Sequence, residues 1–466
     1  MVSRRAPAVP GGACPWAGVL MRFRWVLLLQ GWMWACSIAL PSAAIPGTLT
    51  NILQLRAQPS TEAGRPVVIR GVITYIHPSS HSLFVQDSTG GIFLRIGSPE
   101  QMRALGLKAG QEIEIEGRHE VGASTPVIVS HSPGDLPRIR ILGEGRFPSP
   151  LAVSPDITAY AAFESRWVEA KGVVRKIGPA SEDPLDDRVR LTLDAGNGRF
   201  QILVADFRRH RDPSLSLVDS KVRVRGVYSL VVNDRQQLTG VELLVPGMQL
   251  IEVEQAAPSD PFQVALTPLE SILQFGPNGR SDHRVRVGGV VVLVREDRGF
   301  FIQNGSSGLW VARGANPDVR EGNWVEVVGF PELQNGRPGL DDPQYRVLGT
   351  TNLPSPFEFL SDNPLSPSLD GRLVRGAARL IGQGFHREGY GLTLQHSDQV
   401  FDVVVPTRTA HAAMIEIPIG STLGFTGVYD PLASDLGEVR SFRILAPGVD
   451  AVTVLERASW WTAQRL

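Results

Sequence analysis

The chain has 466 residues, 42% of them apolar, with 48 Gly, 35 Pro and a formal net charge of −1. That length allows two to four ordinary domains, and the glycine and proline content suits many short strands joined by turns. The near-neutral charge excludes a broad basic footprint for nucleic acid, and two cysteines confined to positions 14 and 36 exclude a disulfide framework or thiolate metal site in the rest of the chain.

The first element in chain order reads as an export signal. Arg22 and Arg24 precede an apolar run from Val26 to Leu40, and Ser42 and Ala44 are small residues placed for a cut after Ala44. The mature protein is then expected to be periplasmic or otherwise extracytoplasmic. An uncleaved leader serving as a membrane anchor is the alternative, and translation starts at Met1 or Met21. Lipidation at Cys36 is disfavoured by Met33 three residues earlier.

From residue 45 onward the sequence repeats itself. A first unit carries "VVIRGVITYI", "LFVQDSTGGIFLRI", "GQEIEIEGR" and "RILGEGRFPSP"; a later unit carries "RVRVGGVVVLV", "FFIQNGSSGLWVA", "GNWVEVVGF" and "RVLGTTNLPSP". Gln86 maps to Gln303, Gly117 to Gly329 and Gly143 to Gly349, offsets of 217, 212 and 206. A second type of unit follows each. Leu191 maps to Leu392, Gly226 to Gly427 and Gly247 to Gly448, all at 201, and Gly172 is paired with Gly376 at 204. The expected order is A-B-A′-B′, a duplicated two-domain cassette. The boundaries read 1–44 leader and signal peptide, 45–150 A, 151–258 B, 259–356 A′, 357–456 B′ and 457–466 a closing juxtamembrane-like segment.

Within A, "VVIRGVITY" forms a strand, and "SLFVQD" and "GIFLRI" flank a tight turn at Gly90 and Gly91. In "EIEIEG", strict alternation puts Ile113 and Ile115 on one face and three glutamates on the other. "SPEQMRALGL" is a short helix candidate ahead of the fourth strand. Five short strands with a helix before the fourth is the plan of an OB-fold barrel. The expected fold class is therefore mainly β, four tandem OB-fold-like small barrels.

The residues offer few sites for chemistry. Gln86 and Gln303 are either ligand contacts on a barrel face or strand residues bonded into the following turn. Phe93 and Trp310, with Phe84 and Phe301, are either stacking residues for a ligand or core. Asp87 and Asn304 suit turn starts. His77, His81, His119 and His131 share no ligating spacing and have no counterparts in A′, so no metal is expected. The acidic loops at 181–187 and 339–344 lack an EF-hand spacing. The basic run "DFRRHRD" at 206–212 is a solvated loop or an anion contact, and B′ does not repeat it. No nucleophile elbow, phosphate loop or dinucleotide fingerprint appears, so neither catalytic residues nor a cofactor are assigned.

The strand grammar and the closing "VTVLERASWWTAQRL", with Trp460, Trp461 and Arg465 suited to a membrane interface, resemble the extracytoplasmic sensor region of large bacterial sensor histidine kinases. That resemblance covers about residues 45–466 and implies tandem OB-like domains, an unknown small-molecule or protein ligand, and coupling to a membrane-embedded histidine kinase. The chain has no phosphoacceptor box or ATP motif, so the gene is expected to be either truncated or a stand-alone relative. The alternative is an oligosaccharide- or nucleic-acid-binding OB protein, with charge and export weighing against nucleic acid. An exported enzyme with a non-sequential site stands third.

Overall fold

The structure, a computed structural model, describes residues 47–458 except 59–62, 78–81, 96–98, 121–126, 130–136, 156–159, 184–185, 206–216, 234, 236, 273–281, 296–297, 313–317, 335, 359–363, 387, 407–415 and 434–438. The leader, the basic run at 206–212, His81, His131 and the Trp460–Trp461 pair lie outside the described residues. No described helix is long and apolar enough to cross a membrane.

Alternation in the sequence becomes sidedness in the sheet. Ile113 and Ile115 are buried in the core of A with Val67, Ile69 and Ile73 from the neighbouring strand. On the outer face Glu114 accepts from Arg70 at 2.7 Å and Arg140 at 2.6 Å across two strand neighbours. The helix expected before the fourth strand of A forms at Pro99–Ala104.

The protein is mainly β and is built from small OB-like units, three of them closed barrels and one an open sheet among the described residues. Barrel B shows the plan. Its strands Trp167–Pro179, Val189–Asp194, Arg199–Val204, Lys221–Val232 and Leu238–Val245, counted one to five, close in the order 1-2-3-5-4-1. Strands three and five run parallel, and the other pairs are antiparallel. B′ repeats that order with Leu373–His386, Gly389–His396, Gln399–Val405, Thr422–Ala433 and Val439–Leu445. A′ closes in the same way. A differs, because its fifth strand is split into Val127–Val129 and Arg138–Glu144, and no bond between its third and fifth strands closes the ring among the described residues.

Strand register sharpens the repeat. The first-strand bulge at Ile73/Tyr75 recurs at Val291/Leu293, and the one at Val174/Lys176 recurs at Leu380/Gly382. Gln86 and Gln303, Gly117 and Gly329, Gly143 and Gly349, and Gly226 and Gly427 sit at equivalent ladder positions. The pairing of Gly172 with Gly376 is corrected. Gly172 lies opposite Val222, and the counterpart of Val222 is Leu423, which lies opposite Ala378. A two-residue slip keeps every side chain on its own face, so the sequence pattern could not detect it.

The A–B and A′–B′ joints use one device. The Trp167 N–H donates to Gln86 Oε1 at 2.6 Å, and the N–H of Leu373, the residue equivalent to Trp167, donates to Gln303 Oε1 at 2.8 Å. Beside each glutamine the next barrel's backbone passes so close that a methyl on Gly91 would overlap the Ser165 carbonyl, and one on Gly308 would overlap Gly371. Ser165 and Gly371 both take positive φ, 62° and 69°. The hairpin motif shared by "VQDSTGGIFL" and "IQNGSSGLWV" is thus the face on which the next barrel docks. An apolar plug surrounds it. Tyr75, Phe84, Trp167, Leu203, Val227 and Leu244 in the first joint stand where Leu293, Phe301, Leu373, Val404, Val428 and Leu445 stand in the second.

The B–A′ joint is ionic instead. Arg175, 1% exposed, pairs with Asp194 at 2.7 Å and donates to the Pro331 carbonyl at 3.3 Å. Arg175 and Arg284 both lie against the buried Phe330 ring, at 4.9 and 4.5 Å. Arg199 bridges to Glu332 at 3.0 Å, and Asp219 receives His283 Nδ1 at 3.0 Å and the Arg284 N–H at 3.1 Å.

Candidate ligand cleft between A′ and B′

The four sequence candidates all fall at the two apolar joints. Gln86 and Gln303 give their carboxamide oxygens to the next barrel's backbone, and Gln303 Nε2 also donates to the Gly305 carbonyl at 2.9 Å in the following turn. Asp87 makes the expected turn, accepting from the N–H groups of Thr89 and Gly90 at 2.7 and 2.9 Å. Phe93 is half-buried against Phe84, ring centres 5.2 Å apart. Phe84 and Phe301 are buried in the plugs, which removes them as stacking platforms for a large ligand. Trp310 is half-buried beside Phe301 at 4.8 Å, and it lines a cleft.

That cleft, about 440 Å³, opens at the A′–B′ joint. Its polar wall is a chain of ion pairs. Arg337 Nε donates to Asp370 at 2.9 Å and Arg337 Nη1 to Asp430 at 2.5 Å. Arg443 donates to the other Asp430 oxygen at 2.7 Å and lies 3.4 Å from Glu388. Glu388 also receives Arg295 at 2.8 Å and Arg298 at 2.5 Å. Three guanidiniums therefore share one carboxylate. Burial alone would raise the Glu388 pKa, but the Arg298 hydrogen bond and the charges of Arg443 and Arg295 hold it below the usual carboxylate range. The apolar wall is Trp310, Phe301, Pro338, Leu432 and Leu445.

The equivalent place in the first cassette is filled. His77 stands for Arg295, and Glu242 stands for Arg443. Arg188 crosses the gap, held by both Asp186 oxygens at 2.8 Å, with Nη1 2.8 Å from His77 Nε2. Burial first, and then Arg188, lower the His77 pKa, which keeps the imidazole neutral. Burial also pushes the neighbouring Tyr75 hydroxyl up to about 12. Phe147 stacks on Trp167 at 4.6 Å. In the second cassette Gly389 replaces Arg188, and a side chain there would run into the Val405 carbonyl.

The arginines, Glu388 and Asp430 do not stand out from the sequence, because a search for repeats rewards what recurs. The available signal lies in what fails to recur: Arg295 against His77, Arg443 against Glu242 and Gly389 against Arg188. Among the described residues no group of three His, Cys, Asp or Glu side chains is placed to hold a metal ion.

No described protein family matches the sequence, and no curated protein does. Parts of the chain are similar to solved structures. The hypothetical protein ygiW from E. coli is 19% identical over 21% of this chain and 91% of its own, TM-score 0.17. A murine DNA binding protein bound with double-stranded DNA is 17% identical over 42% of this chain and 98% of its own, TM-score 0.21. Asparaginyl-tRNA synthetase from Pyrococcus horikoshii is 18% identical over 20% of this chain and 22% of its own, TM-score 0.16. Likeness at this level says nothing of ligand or activity.

Proposed function

We propose that the chain is a non-catalytic recognition module, the extracytoplasmic input region of a signalling receptor, and that its ligand enters the A′–B′ cleft. One observation carries the reading. The same joint is crossed by Arg188 in the first cassette, whereas the second has Gly389 at that position, with no side chain to cross it, and a cleft lined by arginines and Trp310. In this proposal a two-barrel cassette was duplicated, its joint kept for scaffolding, and one copy opened for binding. The resemblance to the sensor region of histidine kinases supports the receptor half of the reading, and export after cleavage near Ala44 belongs to it. A ligand touching both barrels favours one arrangement of A′ against B′, which is what a signal requires. B′ is also the barrel that leads into the closing segment.

The test is a thermal-shift screen of the full chain against a metabolite panel, with mass spectrometry of each hit. The reading expects a ligand that raises the melting temperature, is recovered unchanged, and loses its effect in Trp310→Ala. A hit that is chemically converted replaces the reading with an enzyme. Hits indifferent to Trp310 move the site elsewhere. A histidine-kinase frame in or beside the same gene is expected, and an unrelated neighbourhood removes the receptor half.

A further inference from the structure

We infer that the A′–B′ cleft is an anion site for a small organic acid, its carboxylate or phosphate held by Arg298 and Arg443 beside Arg295, and its flat apolar body against Trp310. This rests on the recognition reading above and adds the ligand's chemistry. Four arginines line the cleft, Arg295, Arg298, Arg337 and Arg443, against two acids, Glu388 and Asp430. Counting Asp370, which pairs with Arg337 from behind, the described network still carries one more cation than anions. Each guanidinium has five N–H donors in a planar fork, more than one shared carboxylate can satisfy. Arg295 shows the shortfall. It is 8% exposed, and its Nη1 is buried without a hydrogen-bond partner. Arg298 is held by a single bond to Glu388 and keeps half its side chain exposed, so it has free donors for a ligand.

Size and lining narrow the ligand. Small-molecule sites range over roughly 300–1,000 Å³, which puts this cleft at the small end. A mono- or bicyclic acid is of the size that such a volume holds. Trp310 offers a ring face, with Leu432 and Pro338 as further apolar wall. Arginine forks match the two oxygens of a carboxylate or phosphate and are weakly hydrated for a cation. The first cassette has Glu242 where Arg443 stands, so the preference belongs to the second cassette alone.

The experiment is isothermal titration of the full chain with indole-3-acetate, phenyl phosphate and neutral indole. At least one acid is expected to bind about tenfold or more tightly than indole, with affinity falling as salt rises. Which acid binds tells carboxylate from phosphate. Arg298→Ala is expected to weaken the acid about tenfold while leaving indole binding unchanged, with any fall in melting temperature limited to the loss of its half-exposed ion pair with Glu388. Arg298→Lys should fall between. If indole binds as tightly as the acids and loses binding in Trp310→Ala, the anion inference is wrong and the recognition reading stands. Acid binding indifferent to both Arg298→Ala and Trp310→Ala overturns both. No heat from either acid at millimolar concentration overturns the anion inference.

Discussion

Trp167 and Leu373 occupy the same place in two joints, donating their N–H groups to the equivalent glutamines Gln86 and Gln303 of the preceding barrel. Around Trp167 the joint is filled: Phe147 stacks on the indole and Arg188 spans the gap to His77. Around Leu373 the corresponding positions are Leu353, exposed to solvent, and Gly389, and a cleft opens. The comparison separates two roles that a repeat otherwise blurs. Backbone approach and the glutamine bond hold barrel to barrel in both joints. The side chains that fill the remaining space are free to diverge, and there the two copies part.

Breaking the shared device should hurt both joints most. Gly91→Ala and Gly308→Ala each drive a methyl into the facing backbone and should cost about 3 kcal/mol, read as lost cooperativity in denaturant unfolding. Equal stability of either variant and the parent would show that the joint gives way cheaply. Filling comes next. Trp167→Leu should cost about 2 kcal/mol and expose Phe147, whereas Leu373, already small, has no ring stack to lose. Removing the bond is smaller. Gln303→Leu leaves the buried Leu373 N–H without an acceptor and should cost about 1–2 kcal/mol, and Gln86→Leu, at a less buried position, should cost less.

Acidity gives the smallest effect and sharpens the contrast with the ionic B–A′ joint. The hydrogen bond to Asp219 raises the His283 pKa, so its contribution is full below the usual 6.5 and is lost as pH rises through the raised folded value. His77 runs the other way. Burial depresses it, so stability is full above 6.5 and is lost as pH falls through the depressed value. Unfolding followed between pH 5 and 8 should show an alkaline loss that disappears in His283→Asn and an acid loss that disappears in His77→Asn. A shared direction would sink the contrast.

The strands were legible because burial on one face of a sheet writes a period of two into the chain, as Ile113 and Ile115 show. The barrel plan was legible because the same strand and turn pattern recurs along the chain. The candidate site was legible only in part. Trp310 reached the cleft and Phe93, Gln86 and Gln303 reached the joints, but which face of a barrel meets another barrel leaves no periodic mark.

By itself the sequence determined a mainly β chain of OB-like units with recurring strand and turn positions, since apolar alternation and recurring turn residues are local properties of the chain. It left a two-residue slip at Gly172 undecided, because such a slip preserves the pattern. Only the tertiary structure decided that the repeated hairpin motif is a docking face, that Arg175 and Arg284 meet on Phe330, and that Glu388 collects Arg295 and Arg298 from one hairpin of A′ and Arg443 from a strand of B′. Those groups are separated along the chain by up to about a hundred and fifty residues, and ionic contacts between barrels follow from how closed surfaces meet, which no local pattern encodes.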